Sequence, residues 1–141
     1  MNWKLVLKRI IFYVLSFTWG ILTSLPGLLV IGFSAPFKRV HVYHGRLYAV
    51  WGKNWGGLEL GPFFIIGENC ENSRAHETGH GLQNIILGPL MIVLVSIPSC
   101  IRYWYLELKY YRKGLYRDYD AIWFEGQATR WGKTFVETDK I

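Results

Sequence analysis

The sequence has little charge, few cysteines and no internal repetition. Charged residues make up 18% of its 141 residues, whereas a soluble domain carries about a quarter, so intrinsic disorder and coiled coils are excluded. Two cysteines, Cys70 and Cys100, are too few for a disulfide framework. The lack of repeats and low-complexity tracts excludes collagen-like chains. At this length we expect one hydrophobic core and no second sizeable one.

What the sequence does contain is apolar and basic. Hydrophobic residues account for 51% and aromatic residues for 17%, and 16 Lys and Arg stand against 10 Asp and Glu. In so apolar a chain, a net charge of +6 favours anionic lipid headgroups over nucleic acid. We therefore expect membrane lipid as a partner and no nucleic acid.

An uncharged run extends from Ile10 to Phe37 behind a basic N-terminus. A hydrocarbon layer requires about 20 apolar residues of helix, so residues 1–37 are predicted to form a membrane anchor. Pro26-Gly27 leaves open whether the anchor is one spanning helix, straight or kinked, or a hairpin of two shorter helices. A cleaved signal peptide is disfavoured, because its apolar region would be only about 7–15 residues long.

The predicted fold class is α+β and mainly α, with membrane-associated helices followed by a small β-hairpin or sheet. Residues 41–51 and Leu58–Ile66 are rich in β-branched and aromatic residues, which predicts two strands. Gly52–Gly57 supplies the turn between them, and Pro62 marks an edge or a bulge. The turn glycines lack the spacing and the Ser or Thr of a phosphate-binding loop, which excludes that site.

Residues 38–141 are predicted to form a zinc-site domain that is helical after the strands. Asn72 or Ser73 can cap its first helix, and a basic helix is expected over 103–113. A second uncharged run, residues 81–101, lies between these helices.

That second run contains prolines that interrupt a helix. We expect it to be interrupted at Gly88-Pro89 and at Pro98, where it can break and return or lie as a core helix in the interface, and so not to span a bilayer in one helix. Arg102–Tyr105 follows directly, and its aromatic and basic residues are typical of a membrane–water interface.

The stretch His76-Glu77-Thr-Gly-His80 carries the chemistry. On a helix, residues i and i+4 share a face, so both imidazoles can bind one metal ion, with Glu77 beside them as general base. Zinc would lower the pKa of a bound water toward ~7, and the glutamate would then accept its proton. Gln83 and Asn84 continue the same helix, and they are predicted either to bind substrate or to orient the histidines.

A catalytic zinc site needs a third protein ligand, and Glu125 is the best-placed candidate. It is predicted to lie in the middle of a last helix, capped by Asp118 or Asp120 and running to about Trp131. Ala121 and Ala128 on the same face would allow another helix to approach closely. Buried among large apolar residues without a partner, this carboxylate would be costly. The alternative is a solvated glutamate on the polar side of the helix.

His-Glu-x-x-His on one helix and Glu125-x-x-Ala128 on another resemble the gluzincin class of zinc metallopeptidases. The apolar strand Leu58–Ile66 also resembles the strand that borders the cleft in that class. This resemblance implies that His76, His80 and Glu125 bind zinc and that Glu77 is the general base. It also implies a tyrosine or histidine near the oxyanion, for which Tyr116 and Tyr119 are the candidates.

The chain is also similar to a group of small, uncharacterised bacterial membrane-associated proteins. They share Gly-Lys-Asn-Trp-Gly-Gly, His-Glu-x-Gly-His, Ile-Pro-Ser-x-Ile-Arg-Tyr-Trp-Tyr and Trp-Phe-Glu-Gly-Gln-Ala, all found in this sequence. The resemblance covers most of residues 38–132.

These observations predict a membrane-associated, zinc-dependent hydrolase, in first place a metallopeptidase that acts on a peptide or protein substrate. The predicted location is a bacterial inner membrane, with the site on the cytoplasmic side. Two alternatives stay open: a non-catalytic membrane protein with a structural metal site, and an intramembrane site-2-type metalloprotease. An open coordination position would favour an enzyme, whereas four protein ligands would favour a structural site.

Overall fold

The computed structural model describes residues 3–139, which form an α+β fold dominated by helices; this confirms the α+β, mainly α part of the predicted fold class. The helices and strands follow one another along the chain as α1 (Trp3–Phe17), α2 (Ile21–Ser34), β1 (Val40–Tyr43), β2 (Arg46–Lys53), β3 (Gly57–Leu60), β4 (Phe63–Glu68), α3 (Ser73–Leu87), α4 (Ile97–Lys109) and α5 (Trp123–Thr138).

The sheet has the strand order β1-β2-β4-β3, in which β2 and β4 are parallel and the two outer pairs are antiparallel. The single hairpin predicted from residues 41–51 and Leu58–Ile66 is therefore wrong, since each run folds as its own hairpin. Positive φ angles at His44 (47°) and Gly45 (77°) make the first turn, as a two-residue hairpin loop requires. Gly61 (φ 70°) and Pro62 make the second turn, so Pro62 marks neither a bulge nor an edge.

The first apolar run forms two helices that meet at 101°. Of the alternatives left open, the run therefore forms two shorter helices, but the break lies at residues 18–20 and Pro26 is accommodated inside α2. Gly20 sits against the amide of Asn84, where a larger residue would collide. Taken singly, no helix within residues 3–139 is long and apolar enough to cross a bilayer. In this described part of the chain, only the bent pair Trp3–Phe17 and Ile21–Phe37 reaches that length and composition.

The second apolar run is interrupted once rather than twice. α3 ends at Leu87, and Gly88 takes a φ of 55° before Pro89, as predicted. The chain then stays helical through a π-helical turn, Ile92–Ser96, into α4. Pro98 lies just after the π-helical turn, and the helix continues through it, so the predicted break there is wrong.

The C-terminal helices begin and end at residues other than the predicted ones. α4 ends at Lys109, and residues 111–113 form a separate 3₁₀ turn, so the helix predicted over 103–113 is shifted. Asp118 accepts a hydrogen bond from the Asp120 backbone at 3.0 Å, but it caps the short turn Tyr119–Ala121 rather than α5. α5 runs beyond Trp131 to Thr138.

Candidate metal centre

Helices α3 and α5 pack unusually close together, because small residues face each other at the crossing. A Cβ at Gly79 would overlap the backbone carbonyl of Ala128, and a Cβ at Gly132 would overlap that of Ala75. Such contacts let two helix backbones approach without an intervening side-chain layer. As a result the face of α3 that carries the two histidines lies directly against Glu125 in α5.

Three potential ligand atoms meet between the helices. His76 Nε2 and His80 Nε2 are 3.1 Å apart, and each lies 3.0 Å from Oε2 of Glu125. A tetrahedral zinc ion with bonds of about 2.0–2.1 Å holds its ligand atoms about 3.3–3.4 Å apart. The three atoms could therefore bind one such ion with only small movements of their side chains.

The hydrogen bonds of Gln83 determine where His80 carries its proton. Gln83 Nε2 donates to the Phe124 carbonyl at 2.8 Å and to Oε1 of Gln127 at 2.9 Å. Its Oε1 is therefore the acceptor for His80 Nδ1 at 2.7 Å. A neutral His80 then presents the Nε2 lone pair to the carboxylate of Glu125. Two acceptor atoms at that distance require a cation between them, either a proton or a metal ion.

The surroundings of Glu125 also fit a cation. The residue is fully buried, and its Oε1 has no hydrogen-bond partner among the described residues. An uncompensated buried carboxylate is costly. On the other histidine, His76 Nδ1 lies 2.8 Å from the hydroxyl of Thr129, which leaves its Nε2 directed at Glu125. Two imidazoles and one carboxylate are ligands that zinc accepts in catalytic sites.

The pKa values of the cluster reflect the same pairing. Burial alone would raise the pKa of Glu125, but the hydrogen bonds with His76 and His80 hold it well below its usual value. For His80, burial alone would lower the pKa, but the hydrogen bond with Glu125, the negative charges of Glu77 and Glu125 and the hydrogen bond with Gln83 together outweigh it, and the net shift is upward. The carboxylate therefore stays ionised and attracts positive charge.

Glu77 lies beside this cluster and faces β3. The residue is 4% exposed, and a Cβ at Gly57 would lie only 2.6 Å from its Oε1. Burial raises the pKa of Glu77, against the opposing charges of His76 and His80. A carboxylate with a raised pKa is suited to exchange protons near neutral pH.

A cavity of about 520 Å³ opens beside the cluster, with His76, Glu77 and His80 in its wall. β3, the turn before α4 and α4 itself supply much of the remaining wall. Tyr119 lines the same cavity; its hydroxyl lies 3.2 Å from that of Ser99. Burial raises the pKa of Tyr119, so it stays a neutral hydrogen-bond donor.

The structure separates the remaining predicted residues into two groups. Gln83 lies at the site and orients His80, which is one of the two roles the sequence left open. Asn84 and Tyr116 do not reach the site. Asn84 accepts a hydrogen bond from Thr23 at 2.9 Å and packs against α2, and Tyr116 is 84% exposed outside the cavity wall.

Sequence reasoning missed three residues at or near the site: Thr129, Glu59 and Arg46. Thr129 follows Glu125 by four positions, so helical spacing could have identified it. Arg46 is buried and donates to the Glu77 carbonyl at 3.2 Å. No sequence pattern identifies Arg46 or Glu59 as site residues. They come near the site only through the arrangement of the two hairpins, which local sequence does not predict.

Comparisons with protein-family models, with curated proteins and with solved structures return no match.

Proposed function

We propose that the protein is a membrane-associated, zinc-dependent hydrolase, and specifically a gluzincin-like metallopeptidase. The observation that carries this proposal is the meeting of His76 Nε2, His80 Nε2 and Glu125 Oε2 within 3.1 Å of one another beside an open cavity. Among the described residues, these three form the only His, Cys, Asp or Glu group placed to bind a metal ion. Three ligands with an adjacent cavity are typical of catalytic zinc sites, whereas four protein ligands are typical of structural ones.

Each residue has a distinct role in this proposal. Zinc, when bound, would supply a Lewis acid and lower the pKa of water toward ~7. His76, His80 and Glu125 would hold it, and Gln83 and Thr129 would fix the two rings. Glu77 would accept a proton at its carboxylate and return it to the leaving group.

Tyr119 supports an acyl-transfer reaction more than a simple binding site. Its neutral hydroxyl lines the cavity, and its ring centroid lies 6.1 Å from that of His76. Such a donor could stabilise the negative charge that develops on a carbonyl oxygen. Tyr116, the other tyrosine candidate, has no comparable position.

Glu77→Gln tests the catalytic part of this proposal. The variant keeps the size of the side chain but removes the proton acceptor, so we expect zinc content to match wild type. Hydrolysis of a peptide library should fall by about 10²–10⁴-fold, which is the usual contribution of a general base. Zinc by mass spectrometry and cleavage products by liquid chromatography measure the two effects on one sample.

Glu125→Ala is the complementary variant. It removes a ligand rather than a base, so zinc affinity itself should fall. If Glu125→Ala retains zinc like wild type while Glu77→Gln loses it, the two roles have been assigned the wrong way round.

The proposal also places the protein at a membrane, with lipid as partner. Its support is the apolar outer surface of α1, α2 and α4, where exposed side chains include Leu7, Ile11, Leu25, Leu29, Phe33, Ile101 and Trp104. A surface of this kind fits the interface of a bilayer better than water. We propose a bacterial inner membrane with the site on the cytoplasmic side, where a peptide or protein substrate would reach it.

A further inference from the structure

The cavity beside the candidate metal centre is acidic, although the chain as a whole is basic. Glu59, Glu77 and Glu107 line it, and within residues 3–139 no lysine or arginine does. The net charge of the chain is +6, so its cations lie elsewhere. Carboxyl groups without a lysine or arginine beside them in the cavity wall favour a guest that supplies the positive charge itself.

Glu59 is a carboxylate of this cavity with a buried oxygen that makes no hydrogen bond to a described residue. The residue is 6% exposed. Its Oε1 accepts a hydrogen bond from the Gly61 backbone at 2.5 Å, and its Oε2 has no partner among the described residues. Burial raises the pKa of Glu59 to about 8, in spite of the positive charge on Arg46. Near pH 7 the carboxyl is therefore largely protonated without a ligand, and a cation beside Oε2 would lower its pKa and ionise it. A buried acceptor without a donor is costly, and a donor from a ligand would remove that cost.

The guanidinium of Arg46 does not satisfy this oxygen. It donates instead to the backbone carbonyls of Gly61, Pro62 and Glu77, at 2.8, 3.1 and 3.2 Å respectively. Arg46 does not line the cavity, and in the described part of the chain no ion pair joins it to Glu59. Glu107 differs from Glu59 in this respect, because its Oε1 lies 3.6 Å from Arg112.

Glu59 and the residue that contacts Glu77, the proposed general base, lie on the same strand. Gly57 contacts Glu77, and Glu59 lies two residues further along β3, on the same face of the strand. Two residues of strand span about 6.5–7 Å. A group held by Glu59 would therefore lie in the same cavity as Glu77, about one strand repeat away from it.

We propose that the substrate carries a positively charged group, an ammonium or a guanidinium, which binds Oε2 of Glu59. As a statement about substrate class, this inference rests on the proposed hydrolase function. Two sources could supply that charge in a peptide: a free N-terminal amine, or the side chain of a lysine or arginine. The two sources make different predictions for an acetylated peptide.

The test uses the full-length chain in an uncharged detergent, and calorimetry with three apolar tetrapeptide amides. The first has norleucine at its free N-terminus, the second is its N-acetyl derivative, and the third is the N-acetyl derivative with lysine in place of norleucine. We expect the first or the third to bind at least about tenfold more tightly than the neutral second peptide. Preference for the first identifies an N-terminal amine, and preference for the third identifies a side chain.

Two variants assign the preference to one residue. Glu59→Gln keeps the size and the hydrogen-bonding oxygen but cannot ionise, so the tenfold preference should disappear. Glu68→Gln is the matched control, because Glu68 is a partly exposed residue of β4 beside Lys53 and outside the cavity. It should bind all three peptides like wild type.

The inference is overturned if wild type binds charged and neutral peptides equally, if it binds none of them, or if Glu59→Gln keeps the preference. The wild-type comparison holds whether or not Glu59→Gln folds. Repeating the titration after dialysis against EDTA, with zinc measured on each sample, separates the two proposals. A charge preference in a protein that never binds zinc would refute the hydrolase proposal alone, and a zinc protein without the preference would refute this inference alone.

Discussion

At the scale of single residues, the hydrogen bonds behind the two histidines matter as much as the histidines themselves. Gln83 fixes the proton of His80 on Nδ1, and Thr129 contacts Nδ1 of His76. Partners of this kind orient a ring and raise its basicity as a ligand. The sequence pattern His-Glu-x-x-His identifies the ligands but carries no information about these partners.

Thr129→Val tests whether the second partner contributes to metal binding. The variant removes the hydroxyl beside His76 while preserving shape, so we expect zinc affinity to fall by about 10–100-fold. Thr134→Val is the matched control on the same helix, since Thr134 is exposed and bonds only its own helix backbone. Competition with a chromophoric chelator measures both; equal affinity in the two variants would show that Thr129 does not orient His76.

At the scale of elements, the crossing of α3 and α5 brings the ligands together. Gly79 in α3 and Ala128 in α5 permit the close approach. The sequence predicts a close approach of another helix at Ala128. Because Ala128 shares a helical face with Glu125, the same pattern also favours Glu125 as the third ligand. Small residues on one helical face therefore predict that another helix packs closely there. They do not predict which helix it is, because spacing within one helix carries no information about its partner.

Gly79→Ala tests this crossing. The added methyl group would meet the Ala128 carbonyl, so α5 must move away from α3, at a cost of about 1–3 kcal/mol for such overpacking. We expect a lower melting temperature together with weaker zinc binding, because Glu125 moves with α5. Gly32→Ala is the control, since a Cβ at Gly32 meets no neighbouring atom. A Gly79→Ala variant with unchanged zinc affinity would show that the close crossing does not position the ligands.

The strands show where sequence reasoning failed at this scale. The β-rich composition of residues 41–51 and Leu58–Ile66 predicts strands, and the structure has them, but this composition does not predict the two-residue turn at His44-Gly45. That turn has the positive φ angles of a hairpin loop, and its recognition would have split the first run into β1 and β2. The parallel pairing of β2 with β4 is a long-range feature, and local patterns do not encode it.

At the scale of the whole molecule, many large apolar side chains are exposed outside the core. Leu29 is 74% exposed, Phe33 64% and Ile101 64%. Water does not favour large apolar side chains grouped on the surface of a protein, whereas a lipid interface does. Charge at the ends of these helices would add attraction to anionic lipids.

We therefore expect the protein to remain with membranes after washing with high salt and with alkaline carbonate, because hydrophobic insertion is insensitive to charge screening. Replacing Leu25, Leu29 and Phe33 together by Gln should shift it toward the soluble fraction without unfolding it, since all three are exposed. Tyr116→Gln, at an exposed residue outside these helices, should have no effect. Immunoblots of the washed fractions report the distribution, and release of wild type by salt alone would refute membrane insertion.

The measurement that tests the central claim most directly is the metal content of the purified chain. We expect about one zinc per wild-type chain after equilibration with zinc and gel filtration, since His76, His80 and Glu125 suit a single ion. The double variant His76→Ala with His80→Ala should contain none. His41→Ala, which changes an exposed histidine outside the site, should match wild type. Stoichiometric zinc in the double variant, or its absence from wild type, would contradict the metal centre described above.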